Sequence, residues 1–192
     1  LTNRGGENPL DYEAFSKTKC PYFAVATDAQ TGEPRYFGRE SVAQDSYDIL
    51  KASCALPAAC RPQTVEGRYY FDGGVSAPVP YRKAFEDGCE KVAVLITRSA
   101  DYVKEKQKNM RFLGWMLRKY PNIVRLLEKR HEAYNAAIAE VKELEKQGKA
   151  LLVAPEDDCG VNTLTKDRGA FLRLYEKGYA DGERLAAFLR GE

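Results

Sequence analysis

The tripeptide Asp72-Gly73-Gly74 is the first place in this sequence where chemistry could be built. It follows directly on the short aromatic run Gly67-Arg68-Tyr69-Tyr70-Phe71. Sheet ends in α/β proteins are where sites are assembled. Two consecutive glycines permit a tight turn and a close approach of backbone to a substrate or a neighbouring side chain. An aspartate held there could orient or deprotonate a nucleophile. Taken alone, the tripeptide also fits an ordinary turn in which Asp serves local hydrogen bonds. The single imidazole, His131, sits among Lys129, Arg130 and Glu132 in a helix-forming run and reads as part of a solvated helix face. That favours a carboxylate acting without a histidine. A free Asp has a pKa of about 3.9, so it needs burial or a tight hydrogen bond to a hydroxyl to serve as a base.

The second chemical feature is the stretch from Lys104 to Arg130, with nine basic residues against two acidic ones. Apolar and aromatic residues interleave with the charges. Phe112, Trp115, Arg111, Arg118 and Lys119 are the candidate contacts of a basic amphipathic helix with an anionic membrane surface. The competing expectation, and the favoured one, is a helix pair that packs its apolar side on the core and leaves the charges in water. The five cysteines, Cys20, Cys54, Cys60, Cys89 and Cys159, are irregularly spaced and form no CxxC pair. With one His available, a zinc site is not expected. The thiols read as buried or incidental in a reducing cytoplasm. A Cys54–Cys60 disulfide is the sharper alternative.

The elements that must position these residues are legible in outline. Residues 1–19 read as a loop. Pro21–Thr27 reads as a buried strand stopping at Asp28, with a hairpin turn through Thr31-Gly32-Glu33 and a return along Arg35-Tyr36-Phe37. Ser41 is expected to cap a helix over about 42–53. A strand leads into Asp72, and a helix near 81–87 stops at Gly88. Lys91–Thr97 is apolar on both faces, the pattern of a strand in the middle of a covered sheet. Residues 102–147 form a helical region read as two helices meeting at Pro121. Leu151–Pro155 reads as a last strand. Residues 165–189 read as a terminal helix with a core stripe running from Phe171 through Tyr175 and Tyr179 to Leu189, weakened at Gly178 and Gly182. Alternating strands and helices predict an α/β layered sheet with helices on both faces, in one domain over 1–192.

Composition bounds the function. The chain has 192 residues, 44% apolar and 30% charged, and 30 basic against 28 acidic side chains. This is globular and near neutral, which argues against general nucleic-acid binding. No run of about 18 apolar residues is available to span a bilayer.

The order of motifs resembles the patatin-like phospholipase family. The resemblance is carried by Ala26-Thr27-Asp28, the Thr31-Gly32-Glu33 hairpin, Ala52-Ser53-x-Ala55-x-Pro57, Gly67-x-Tyr69-Tyr70-x-Asp72-Gly73-Gly74, Pro78-Val79-Pro80 and Gly88 before the Val92–Ile96 strand. It covers roughly residues 20–98. The tail, through Val153-x-Pro155 and Tyr175-x-x-Gly178-Tyr179, is similar to a bacterial branch of the family. The resemblance implies a serine–aspartate dyad that hydrolyses acyl esters of lipids, without metal or organic cofactor. Asp72 would be the dyad base, and Gly73 and Gly74 the supporting loop.

One element of the family pattern is missing. The nucleophile turn G-x-S-x-G does not occur in the sequence. Ser53 and Ser76 lie nearest the motifs and read as packing and loop residues. Arg4-Gly5-Gly6 is only faintly similar to an oxyanion loop. The expectation is a C-terminal portion of a patatin-like domain, opening at Leu1 rather than Met and inactive alone, that carries the aspartate half of the dyad. Its sheet edge would be covered by the missing half or by a second copy. The location expected is cytoplasmic, peripheral to a membrane. The alternative is a non-catalytic module of the same fold that binds lipid surfaces or protein.

Overall fold

The computed structural model describes residues 3–7, 9–161 and 165–191. In chain order the elements are α1 (Tyr12–Lys17), β1 (Phe23–Asp28), β2 (Pro34–Gly38), α2 (Asp48–Ser53), β3 (Gln63–Val65), β4 (Arg68–Asp72), α3 (Tyr81–Glu86), β5 (Val92–Leu95), α4 (Met110–Met116), α5 (Pro121–Lys146), β6 (Ala150–Val153) and α6 (Arg168–Arg190). They fall into two compact units. The first comprises Leu1–Pro78 and Lys106–His131, the second Val79–Glu105 and Glu132–Glu192.

The first unit is built on a four-stranded antiparallel sheet in the order β2-β1-β4-β3. The β1–β2 hairpin turns where the sequence expects it. Asp28 N–H donates to the Glu33 carbonyl at 2.9 Å, and Gly32, at φ +80°, takes the left-handed position. The Asp28 carboxylate accepts from the amides of Gln30 and Thr31, both at 2.9 Å. The second hairpin, β3 to β4, is not anticipated from the sequence. Its two-residue loop is Glu66-Gly67, at φ 50° and 75°, the left-handed pair a tight antiparallel turn requires.

Successive residues of β4 feed the two faces of this sheet, as the twofold alternation of a strand demands. Tyr70 joins Ala24, Ala26 and Phe37 in a core closed by Ile49 and Ala52 of α2. Phe71 joins Val75 in a second core closed by Leu117, Ile123 and Leu127, the last two from α5. Helices therefore cover both faces of this sheet, and the α/β expectation holds for this unit.

The second unit pairs β5 with β6 in parallel, from Val92↔Ala150 to Leu95↔Val153. Its core joins Tyr81, Val92, Val94, Ile138, Val141, Ala150 and Leu152. Pro121 opens α5, where its missing N–H costs nothing. Asp167 caps α6 by accepting from the Gly169 amide at 2.8 Å.

Several expectations need correction. The segment read as a loop over 1–19 contains α1, capped by Asp11 and packed through Tyr12 and Phe15 against the first core. The helix expected over 42–53 begins only at Asp48, because Asp45 takes a positive φ of 61° and Ala43 bridges Ser46. Ser41 instead closes a single 3-10 turn. The strands form two sheets, not one. β5 is not a central strand: among the described residues its strand partner is β6, and Leu95 is 61% exposed. The helical region begins at Met110. The terminal helix is continuous through Gly178 and Gly182, and its supposed core stripe faces water at Phe171, Leu172, Tyr175, Tyr179 and Leu189. The thiols are free and not buried: Cys20, Cys54, Cys60 and Cys89 are exposed and Cys159 half-buried.

The Asp28 turn yields a stability prediction. Burial would push its carboxyl up, but the amides of Thr31 and Gln30 and the Arg68 guanidinium at 2.7 Å outweigh that and hold it below the ordinary value. A carboxyl depressed in the folded state stabilises the protein above the unfolded-state pKa, and the gain is lost as pH falls through the folded-state value. Asp28→Ala should cost about 1–3 kcal/mol in urea unfolding at neutral pH, because it strands two amides. Asp28→Asn keeps an acceptor for them, so it should cost less and should flatten the acid limb of the stability curve.

Candidate active site

The site begins with β4 and ends in the 3-10 turn Gly73–Val75. Asp72 is the last strand residue, paired with Ala26 of β1. Its backbone is fastened on both sides. Its N–H donates to the Ala55 carbonyl at 2.9 Å. Its carbonyl accepts the Thr27 hydroxyl at 2.8 Å. Its carboxylate accepts the Gly74 amide at 2.6 Å, which caps the turn that follows. Among the described residues this is the only hydrogen bond the carboxylate makes, so a second carboxylate oxygen remains available to a donor.

The two glycines have separate reasons. A Cβ on Gly73 would sit 2.2 Å from the carbonyl oxygen of Val25, a contact with backbone that nothing can relieve by a rotamer change. A Cβ on Gly74 would lie 3.0 Å from the Asp72 carboxylate and 3.2 Å from Arg130 Nη2. The first glycine lets the turn press onto β1. The second keeps room around the carboxylate.

Thr27, fully buried, is the node beneath this turn. Its one hydroxyl proton goes to the Asp72 carbonyl, so the Ser76 hydroxyl at 2.8 Å must donate to Thr27 Oγ1, and the Ser76 amide also points there at 3.2 Å. Ser76 is thereby engaged as a donor in the scaffold, in keeping with its reading as a loop residue. Ser53 is half-buried at the end of α2. Arg4-Gly5-Gly6 lies in a surface turn, with the Gly6 amide bonded to the Asn3 carbonyl.

Arg130 is the residue the sequence analysis does not single out. Its Nε donates to the Gly74 carbonyl at 2.7 Å, so α5 clamps the turn from the other side. Counting it into a basic face hides this role. Its partner lies 56 residues away, and no local pattern announces it. His131, its neighbour, is half-buried rather than solvated as expected. Arg111, Phe112, Trp115, Arg118 and Lys119 are all exposed, on α4 and the residues just after it.

Among the described residues no three His, Cys, Asp or Glu side chains converge on a metal position. The second unit holds a cavity of about 200 Å³ between the ends of β5 and β6 and the middle of α6, walled by Leu95, Ile96, Val153, Pro155 and Leu174. No helix among the described residues is long and apolar enough to cross a membrane.

Two family models match this chain. Residues 13–85 match the patatin-like phospholipase model, a span that includes Asp72-Gly73-Gly74 and the node at Thr27. Residues 120–189 match a domain of unknown function, DUF6363. Among curated proteins, uncharacterized NTE family proteins of Mycobacterium bovis and Mycobacterium tuberculosis are 37% identical over 67 residues. That match spans 35% of this chain and 18% of each relative's length.

The geometry predicts which substitutions the turn tolerates. Gly73→Ala should disrupt it outright, lowering stability by about 1–3 kcal/mol or more as an overpacked contact. Thr27→Val, similar in volume but without the hydroxyl, should cost about 1–3 kcal/mol through the stranded partners. Thermal unfolding of the two variants beside Ser76→Ala checks this, with Ser76→Ala the mildest because Thr27 keeps its bond to Asp72.

Proposed function

We propose, from the match of residues 13–85 to the patatin-like phospholipase model, that this chain supplies the aspartate of a serine–aspartate acyl hydrolase acting on lipid esters. The observation that carries the reading is the placement of Asp72. Its carboxylate stands at a strand end, in a turn held by Thr27, Gly73 and Arg130, with one oxygen bonded to the Gly74 amide. A carboxylate so held is oriented before substrate arrives, which is what positioning a catalytic base requires.

The nucleophilic serine comes from outside these 192 residues, which contain no G-x-S-x-G. It is the partner this reading requires, on the same polypeptide or on another. Asp72 takes the proton as the serine oxygen attacks the ester carbonyl. The tetrahedral intermediate collapses, the bond to the leaving alcohol breaks, and Asp72 returns the proton to that alcohol. The acyl-enzyme is then hydrolysed by a water whose proton passes to Asp72 and back to the serine. No metal or organic cofactor enters these steps. Gly73 and Gly74 serve as the supporting loop.

Asp72→Asn is the discriminating variant. The amide oxygen still accepts from Gly74, so the fold should be retained while basicity is lost. The measurement is fluorophosphonate labelling with p-nitrophenyl ester turnover, on this chain and on a form extended upstream in its reading frame. The expected result is labelling of the extended form alone, with turnover falling at least about 100-fold in Asp72→Asn at an unchanged melting temperature. Labelling of the 192-residue chain would point to a nucleophile within it. An extended form without labelling or turnover would favour the non-catalytic module.

A further inference from the structure

The surface that the turn and its cores leave unexplained is α4. Its helical spacing puts Phe112, Trp115 and Met116 on one side, at positions i, i+3 and i+4. These three are 60%, 64% and 39% exposed. Phe112 and Trp115 stack on each other with ring centroids 6.1 Å apart, forming one continuous apolar patch instead of scattered side chains. The opposite side is anchored: Leu117 is buried in the core that holds Phe71 and Val75. The patch is therefore a fixed feature of the first unit.

The sequence around it carries one sign of charge. From Lys106 to Tyr120 the sequence has five basic residues and no acidic one. Arg111, Arg118 and Lys119 are exposed, and the Arg118 guanidinium lies over Trp115 at 5.8 Å. Exposed Trp and Phe flanked by Arg and Lys match the headgroup zone of an anionic bilayer, where the rings enter the acyl boundary and the cations meet phosphate. A helix of seven residues is about 10 Å long, enough for shallow seating in that zone and too short to cross it.

We propose that α4 is a landing surface for anionic lipid bilayers, with Phe112, Trp115 and Met116 inserted and Arg111, Arg118 and Lys119 pairing with lipid phosphates. The proposal stands apart from the role of Asp72 and holds whether or not that residue acts in catalysis.

Trp115 is the only tryptophan in the chain, so its fluorescence reports on the patch directly. The chain is titrated with vesicles of phosphatidylcholine alone and of phosphatidylcholine with about one-third phosphatidylglycerol, whose negative surface potential attracts basic side chains. The expected result is a blue shift and quenching by brominated acyl chains on the anionic vesicles only, weakened by high salt. Phe112→Ser should reduce the shift. The triple variant R111Q/R118Q/K119Q should lose about fivefold in affinity per charge removed. The proposal is overturned if anionic vesicles leave the emission unchanged, or if neutral vesicles bind equally. It is also overturned if the variants bind like the parent, or if the blue shift appears without lipid and grows with protein concentration, the mark of a second copy on the patch.

Discussion

The contact between Gly73 and the carbonyl of Val25 sets the geometry of everything around Asp72. A hydrogen is the largest substituent that fits there, since a Cβ would come within 2.2 Å of a backbone oxygen. That closeness allows the turn to fold back onto β1, and the buried Thr27 hydroxyl then ties β1 to the Asp72 carbonyl. Arg130 holds the far side of the turn through the Gly74 carbonyl. The backbone of Asp72 is thus placed by Val25, Ala55, Thr27 and one arginine, while its carboxylate caps the turn through the Gly74 amide.

The same turn explains how much was legible in the sequence. Asp72-Gly73-Gly74, the Asp28–Glu33 hairpin, the helix ending before Gly88 and the start of α5 at Pro121 are local events, governed by residues within a few positions of one another. Features that depend on distant partners were not legible. Thr27 and Ser76 meet across 49 residues and Arg130 and Gly74 across 56. The apolar run at Val92–Leu95 looks like a central strand because periodicity reports hydrophobicity and not the number of neighbours; its one strand partner among the described residues, β6, begins at Ala150. The stripe on α6 misleads in the same way. Its apolar spacing is helical, and its large side chains still face water.

The two chemical features of the first unit divide by environment. Around Asp72 the polar groups are paired by geometry, and the turn is closed by backbone contact. On α4 Phe112, Trp115 and Met116 are exposed, and the charges of the surrounding sequence, residues 106–120, share one sign. The first arrangement suits proton transfer at a defined point. The second suits adhesion to an extended anionic surface, where register matters little and summed charge matters more. Sequence composition revealed the second feature without its geometry, since it could not tell an exposed aromatic face from one packed on the core.

The Asp72 turn is closed by groups that this chain itself supplies. Amide hydrogen exchange at Gly74, followed by NMR in the chain and in Asp72→Asn and Asp72→Ala, tests it most directly. Exchange at Gly74 should be slowed in the parent and in Asp72→Asn, where a side-chain oxygen still accepts its proton, and fast in Asp72→Ala. Exchange at the rate of an unstructured peptide in the parent chain would contradict it, because the carboxylate would then have no fixed place from which to act.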